Sequence, residues 1–119
     1  MDTTNPKDAA GEAKAPLYLV PPILVIQAAD AMAEGAKKYG PYNWRATRVR
    51  ATVYISAMLR HLAAYADGEN VTEDCIHHLA HVAASCAILL DAEALDQLID
   101  DRPTNGPAPG VLADYEPLP

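Results

Sequence analysis

The chain of 119 residues has no phenylalanine, one tryptophan and two cysteines, and it sets 9 lysines and arginines against 16 acids. With aromatic residues at 6 %, an interior has to be filled with Ala, Leu, Ile and Val. Alanine lets helices approach closely but buries little area per residue, which favours a second subunit as a further source of burial. The shortage of cations leaves a net charge of −7. That argues against duplex nucleic acid and anionic membrane as partners, since both would be repelled overall. Small phosphorylated ligands remain open to it, because carboxylates can hold divalent cations and the cations can hold phosphates. Cys75 and Cys86 lie eleven residues apart on one expected helix, about 16 Å of rise and too far to bridge. They read as reduced thiols of a cytoplasmic protein. No apolar run reaches the roughly 18–20 residues of a membrane span, and the polar first residues have no secretory h-region. No glycine-rich loop with Gly-Lys-Ser/Thr stands in the chain, so a P-loop nucleotidase is excluded.

What is present is helical periodicity, with no alternating strand pattern, and the length suits one all-α domain. Residues 1–13 read as a flexible arm, residues 14–101 as the helical domain and residues 102–119 as an irregular tail holding five of the ten prolines. A first helix is expected from Pro22 or Ile23 to the break at Gly40-Pro41, since Pro suits the first helical position. A second covers about residues 52–67 and stops at Gly68. A third is expected from about residue 73 to 91, with Thr72 as N-cap and Glu73 and Asp74 in its first turn.

Three of the four histidines lie in the stretch DCIHHLAH at the start of that third helix. As a helix, it would put Asp74, His78, His81 and Ser85 on one face at spacings of four, three and four. Imidazoles beside carboxylates can coordinate a divalent metal or activate water; alone, each could equally be hydrogen-bonded at a subunit seam. His61, Tyr65 and Glu69 share a stripe of the second helix. An antiparallel pairing of helices two and three would bring His61 towards the histidines and gather Glu69, Glu73 and Asp74 at the turn. On the first helix Asp30 and Glu34 are like charges at spacing four, with Lys38 placed to offset Glu34. They read as a solvated face or as ligands of Mg²⁺ or Mn²⁺. The segment GAKKYGPYNWR places Lys37, Lys38, Tyr39, Asn43, Trp44 and Arg45 around a helix end. Cations there can neutralise phosphates, Asn can read a base or sugar hydroxyl, and rings can stack on a base. Trp44 could equally plug the core.

In order, KAPLYLVPP, EGAKKYGPYNWR, RHLAAYADGE and HHLAHVAASCAILLD resemble the phage MazG-like dATP/dGTP diphosphohydrolases, over about residues 14–92. The resemblance is to the type found in phages that replace adenine with 2-aminoadenine. It implies a MazG-like helical bundle completed by oligomerisation, as dimer or tetramer, that hydrolyses a purine (deoxy)nucleoside triphosphate, dGTP, GTP or dATP, to the monophosphate and pyrophosphate. It implies two or more Mg²⁺ or Mn²⁺ ions per site, and the cytoplasm of an infected host cell as location. The wider superfamily's E-E-x-x-E helix and E-x-x-D do not stand in this chain; Arg60-His61 and His78-x-x-His81 occupy those places. The expected site therefore has Glu34, Glu69 and His78 as catalytic groups. Glu34, Glu69, Glu73, Asp74, His78 and His81 are the expected metal ligands. Lys37, Lys38, Tyr39, Asn43, Trp44, Arg60 and His61 are expected to bind substrate. The rival reading is a non-catalytic helical nucleotide-binding or phage assembly protein.

Overall fold

The computed structural model describes residues 4–119. Its elements are helix α1 (Pro6–Glu12), a 3-10 turn at Leu17–Leu19, helices α2 (Pro22–Tyr39) and α3 (Asn43–Ala46), strand β1 (Val49–Arg50), helices α4 (Ala51–Ala66) and α5 (His78–Ala94), strand β2 (Leu98–Ile99) and helix α6 (Ala108–Ala113). The fold is all-α as expected; each strand has two residues, paired in parallel with Val49 opposite Leu98 and Arg50 opposite Ile99. This pairing ties the start of α4 to the chain leaving α5.

Helix α2 begins with Pro22 in its first turn and ends at Gly40, whose φ of +88° turns the chain away, with Lys37 and Lys38 in the last turn facing the negative end of the helix dipole. Helix α4 stops before Gly68 at φ +104°. Its start is capped from far along the chain: the Asp101 carboxylate accepts from the Thr52 N–H at 2.9 Å and the Thr52 hydroxyl at 2.6 Å.

The third long helix differs from expectation. α5 begins at His78, five residues after the expected start. Thr72 N–H donates to the Ile76 carbonyl and Cys75 N–H to the Thr72 carbonyl, both at 2.9 Å, while Cys75 sits in the left-handed region at φ +61°. A bridge between Val71 and His77 closes this turn. The turn satisfies the backbone groups that a first helical turn would have used, so Thr72 is no cap. His77 is the cap instead, its Nδ1 accepting from the Leu79 N–H at 3.0 Å. Asp74 consequently lies on the turn and not on a helical face with His78 and His81.

Two short helices stand in segments expected to be irregular. In the expected arm α1 is capped by Asn5, whose Oδ1 accepts from the Lys7 N–H, with Pro6 at its start. In the Pro-rich tail α6 follows Pro107. Both are exposed along their length. Residues 1–3 of the arm lie outside the described residues.

Helix α5 is central, packed on α4 along one side and on α2 along another. The core cluster is Ala31, Ala80 and Ala84, with Met32 and Ile76 against it; Trp44, Ala51 and Ala92 are also buried. The composition without Phe has produced an alanine seam of close helix contact. His78 is the buried polar residue within it, 5 % exposed.

Candidate active site

Two cavities open on either side of α2, and Ala33 lines both. One, of about 560 Å³, is charged: Asp30, Glu34, Lys37, Lys38 and Asp74 surround it, with Cys75 and Ile76. The other, of about 770 Å³, is mostly apolar and runs between α2, α3 and α5; Tyr39, Tyr42, Asn43, Trp44, Tyr54 and His81 contribute its larger and polar side chains.

In the charged cleft the Lys38 ammonium donates to Glu34 Oε1 at 3.0 Å. This pair, one helical turn apart, is the offset the spacing predicted. The hydrogen bond from Lys38 holds the Glu34 carboxyl below its usual range, against the opposing effect of burial. Glu34 Oε2 is buried and receives no donor from the described residues.

Behind the cleft the histidines meet in a chain of contacts. Glu69 Oε1 lies 2.6 Å from His78 Nε2, and His78 Nδ1 lies 2.8 Å from His61 Nδ1. The His61 ring stacks on His81, centroids 4.4 Å apart and planes within 9°. Burial, reinforced by the neighbouring imidazoles, lowers the pKa of His61. Burial also lowers that of His81, against the attraction of Glu34. Both rings are therefore neutral at pH 7. The pairing of α4 with α5 brings Glu69, His61, His78 and His81 together as the antiparallel hairpin required.

The expected metal set is not assembled as one shell. Among the described residues no group of three or more His, Cys, Asp and Glu side chains is disposed to hold a metal ion. The physical reason is visible in the contacts. Glu34 is paired with Lys38, Glu69 is spent on His78, and both ring nitrogens of His78 face protein partners. The late start of α5 leaves Asp74 on the turn, and Glu73 is exposed without a protein partner among the described residues. The charged cleft offers the oxygen donor type that a hard divalent cation takes, without a formed ligand set among the described residues. Three carboxylates line it, Asp30, Glu34 and Asp74, and one Glu34 oxygen lacks a donor.

Of the expected substrate-binding residues, Lys37 and Lys38 line the charged cleft, while Tyr39, Asn43 and Trp44 line the apolar cavity. Arg60 is exposed and lines neither. Trp44 is a wall of the fold, 5 % exposed, with its indole Nε1 donating to Asp91 Oδ2 at 2.7 Å. The accessible rings are Tyr39 and Tyr42, 71 % and 58 % exposed. Arg45 lies over the Tyr42 ring, 4.5 Å from its centre, and forks onto Asp91 through Nε and Nη2 at 2.8 and 2.9 Å.

Residues 4–102 match the family model described as dATP/dGTP diphosphohydrolase, N-terminal. The chain belongs to this family. A curated relative named dATP/dGTP diphosphohydrolase, from Salmonella phage PMBT28, is 30 % identical over 101 residues, which are 84 % of this chain and 34 % of that protein. The chain thus spans about a third of the relative's length. No solved structure matches.

The family match covers α1 to β2, and so both cavities and the histidine chain, and ends before α6. Three residues of this diphosphohydrolase-family domain escaped the reading of the sequence. Asp91, 47 positions from Trp44, fixes the wall of the apolar cavity. Asp101 caps α4. Tyr54 lines the same cavity as Trp44, and burial pushes its pKa up. None sits in a local motif, and each pairing is a product of helix packing.

Proposed function

We propose that this chain carries the catalytic centre of a metal-dependent purine nucleoside triphosphate pyrophosphohydrolase. It would convert dGTP or GTP, and dATP, to the monophosphate and pyrophosphate in remodelling a phage nucleotide pool within the cytoplasm of the infected cell. The supporting observation is the pair of cavities that share Ala33. One offers apolar and aromatic walls to a planar base, and the other offers charge to a polyphosphate, on two sides of the same helix turn.

In this reading Tyr39 and Tyr42 supply exposed ring faces, and Asn43 an amide able to pair with a base edge or sugar hydroxyl. Lys37 and Lys38 neutralise phosphate oxygens as negative charge shifts towards the leaving group. Lys38 would exchange its present partner, Glu34, for phosphate, which frees both Glu34 oxygens. Asp30, Glu34 and Asp74 would hold Mg²⁺ or Mn²⁺. The bound ions would supply positive charge between carboxylates and phosphates. The working unit is a homo-oligomer, because a single chain leaves its apolar helix faces uncovered.

The test is direct. Incubation of the purified chain with dGTP, GTP and dATP in Mg²⁺ or Mn²⁺, followed by anion-exchange chromatography, is expected to yield monophosphate and pyrophosphate in equal amounts. A chelator should abolish both. Nucleotide binding without pyrophosphate release in Mg²⁺, Mn²⁺ or Co²⁺ would make this a non-catalytic nucleotide-binding protein.

A further inference from the structure

The chain of contacts from Glu69 through His78 to His61 has only one consistent arrangement of protons in its neutral state. An ionised Glu69 can only accept, so the proton of their 2.6 Å contact sits on His78 Nε2. A neutral His78 then has a bare Nδ1. That nitrogen lies 2.8 Å from His61 Nδ1, and two lone pairs cannot face each other at this distance. The proton between them therefore belongs to His61 Nδ1. It follows that the second nitrogen of His61, Nε2, carries the lone pair, and no side chain or backbone group among the described residues donates to it.

We infer that His61 Nε2 is the base that takes a proton from the attacking water, and that Glu69 and His78 are positioning residues that fix its tautomer. The inference rests on the hydrolase reading above. It exchanges roles expected from the sequence, which puts Glu69 and His78, with Glu34, among the catalytic groups and His61 among the substrate-binding ones. The site's layout favours His61. It stacks on His81, which lines the apolar cavity. The His61 ring is itself half-buried, so it is not sealed from solvent as His78 is. His78 is 5 % exposed with both nitrogens occupied, so it cannot reach a water.

The step balances. The water oxygen forms a bond to the phosphorus of the scissile phosphoanhydride, and the water proton passes to His61 Nε2. The bond from that phosphorus to the bridging oxygen breaks, and its electron pair leaves with the departing phosphate. His61 can then pass its Nδ1 proton to His78 Nδ1. This places the imidazolium charge on His78, against the Glu69 carboxylate, and away from the cations of the cleft. His61 ends neutral and protonated on Nε2; when His78 hands the Nδ1 proton back, His61 becomes the imidazolium, gives its Nε2 proton to product and recovers the starting tautomer.

Long-range ¹H–¹⁵N correlation spectra of histidine-labelled protein, taken at about pH 8, above the ordinary imidazole pKa of about 6.5, read the tautomer without any substrate. In the wild type His61 is expected as the Nδ1–H form. Glu69 is 63 % exposed, so replacing it spares the core. In Glu69→Lys the new ammonium can only donate, which reverses the chain and should turn His61 into the Nε2–H form. Turnover on dGTP should fall about 10²-fold, the low end of general-base contributions, with helicity intact. Glu69→Gln keeps an acceptor oxygen and should retain the wild-type tautomer and most of the turnover. A wild-type His61 protonated on Nε2, or Glu69→Lys that keeps both tautomer and turnover, overturns the inference. A wild type that cleaves no purine triphosphate but shows the Nδ1–H form overturns the hydrolase reading and the base with it, and leaves only the hydrogen-bonded relay.

Discussion

Asp91 holds three donors at the end of the central helix: the indole of Trp44 and two guanidinium nitrogens of Arg45. Arg45 first, then Trp44, draws its pKa from the ordinary 3.8 to about 2. A carboxylate whose folded pKa is depressed contributes stability that is fully present above about pH 4. That contribution is lost as pH falls through about 2, where folded and unfolded forms are protonated alike. The expected outcome is that Asp91→Asn is less stable than wild type at neutral pH, with the gap closing between pH 4 and pH 2 in acid titrations followed by circular dichroism. A gap that persists at pH 2 would mean that Asp91 acts through shape alone. The partner side of the same contact predicts a larger effect. Trp44 is 5 % exposed in a chain with no other Trp and no Phe. Trp44→Ala should therefore cost about 3–5 kcal/mol in urea unfolding. A loss below about 1 kcal/mol would mean that the indole stacks on ligand and not on the fold.

The turns between helices carry the next level of control. Gly68 follows α4 at φ +104°, where an added Cβ meets no atom within 4 Å, so only the backbone opposes a side chain. Cys75, in the turn before α5, holds a left-handed φ of +61° with a side chain in place. Opposite changes should thus have opposite signs. Gly68→Ala is expected to lose about 1–3 kcal/mol, while Cys75→Gly is expected to gain up to about 1 kcal/mol, the relief of left-handed strain being partly offset by unfolded-state entropy. Chemical denaturation midpoints of the two variants, compared at equal slope, check this; two shifts of the same sign would contradict it. The second turn matters for the site, since it is the bend at Cys75 that leaves Asp74 at the charged cleft with Asp30 and Glu34.

At the scale of the whole molecule the chain is open for its length. Its radius of gyration is 18.8 Å, against about 13.5 Å for a compact domain of this length. Its accessible surface is 9566 Å², against about 6,200 Å² for a monomer of this mass. Part of the excess belongs to the projecting arm and tail, but much is apolar: Leu17, Tyr18, Ile23, Val25 and Ile26 are each at least 59 % exposed around the start of α2. An area of this size and character suits an obligate interface. Light scattering at micromolar concentration should give at least twice the protomer mass of 12.7 kDa, and Ile26→Glu should lower it. A wild-type peak at one protomer would refute this.

Much of this protein is legible from its sequence, and for a physical reason. The lengths of α2 and α4 follow from periodicity, Pro22 and the glycines at positions 40 and 68, which act through the backbone next to them. The shortage of aromatics dictates an alanine core, and the paired spacing of Glu34 and Lys38 dictates their ion pair. Among the described residues no helix is long and apolar enough to cross a membrane, as the absence of long apolar runs required. Other features depended on which distant groups come within hydrogen-bond range. The start of α5 was set by the closed turn over residues 72–76, which takes the backbone groups that a helical turn would use. The partners of Trp44, Thr52 and His61 lie 47, 49 and 17 positions away, and no local spacing encodes them. The sequence supplies the acids and imidazoles. Only the packing of α4 on α5 decides that Glu69 engages His78 and His78 engages His61, because a hydrogen bond depends on tenths of an ångström and a periodicity fixes no more than a face.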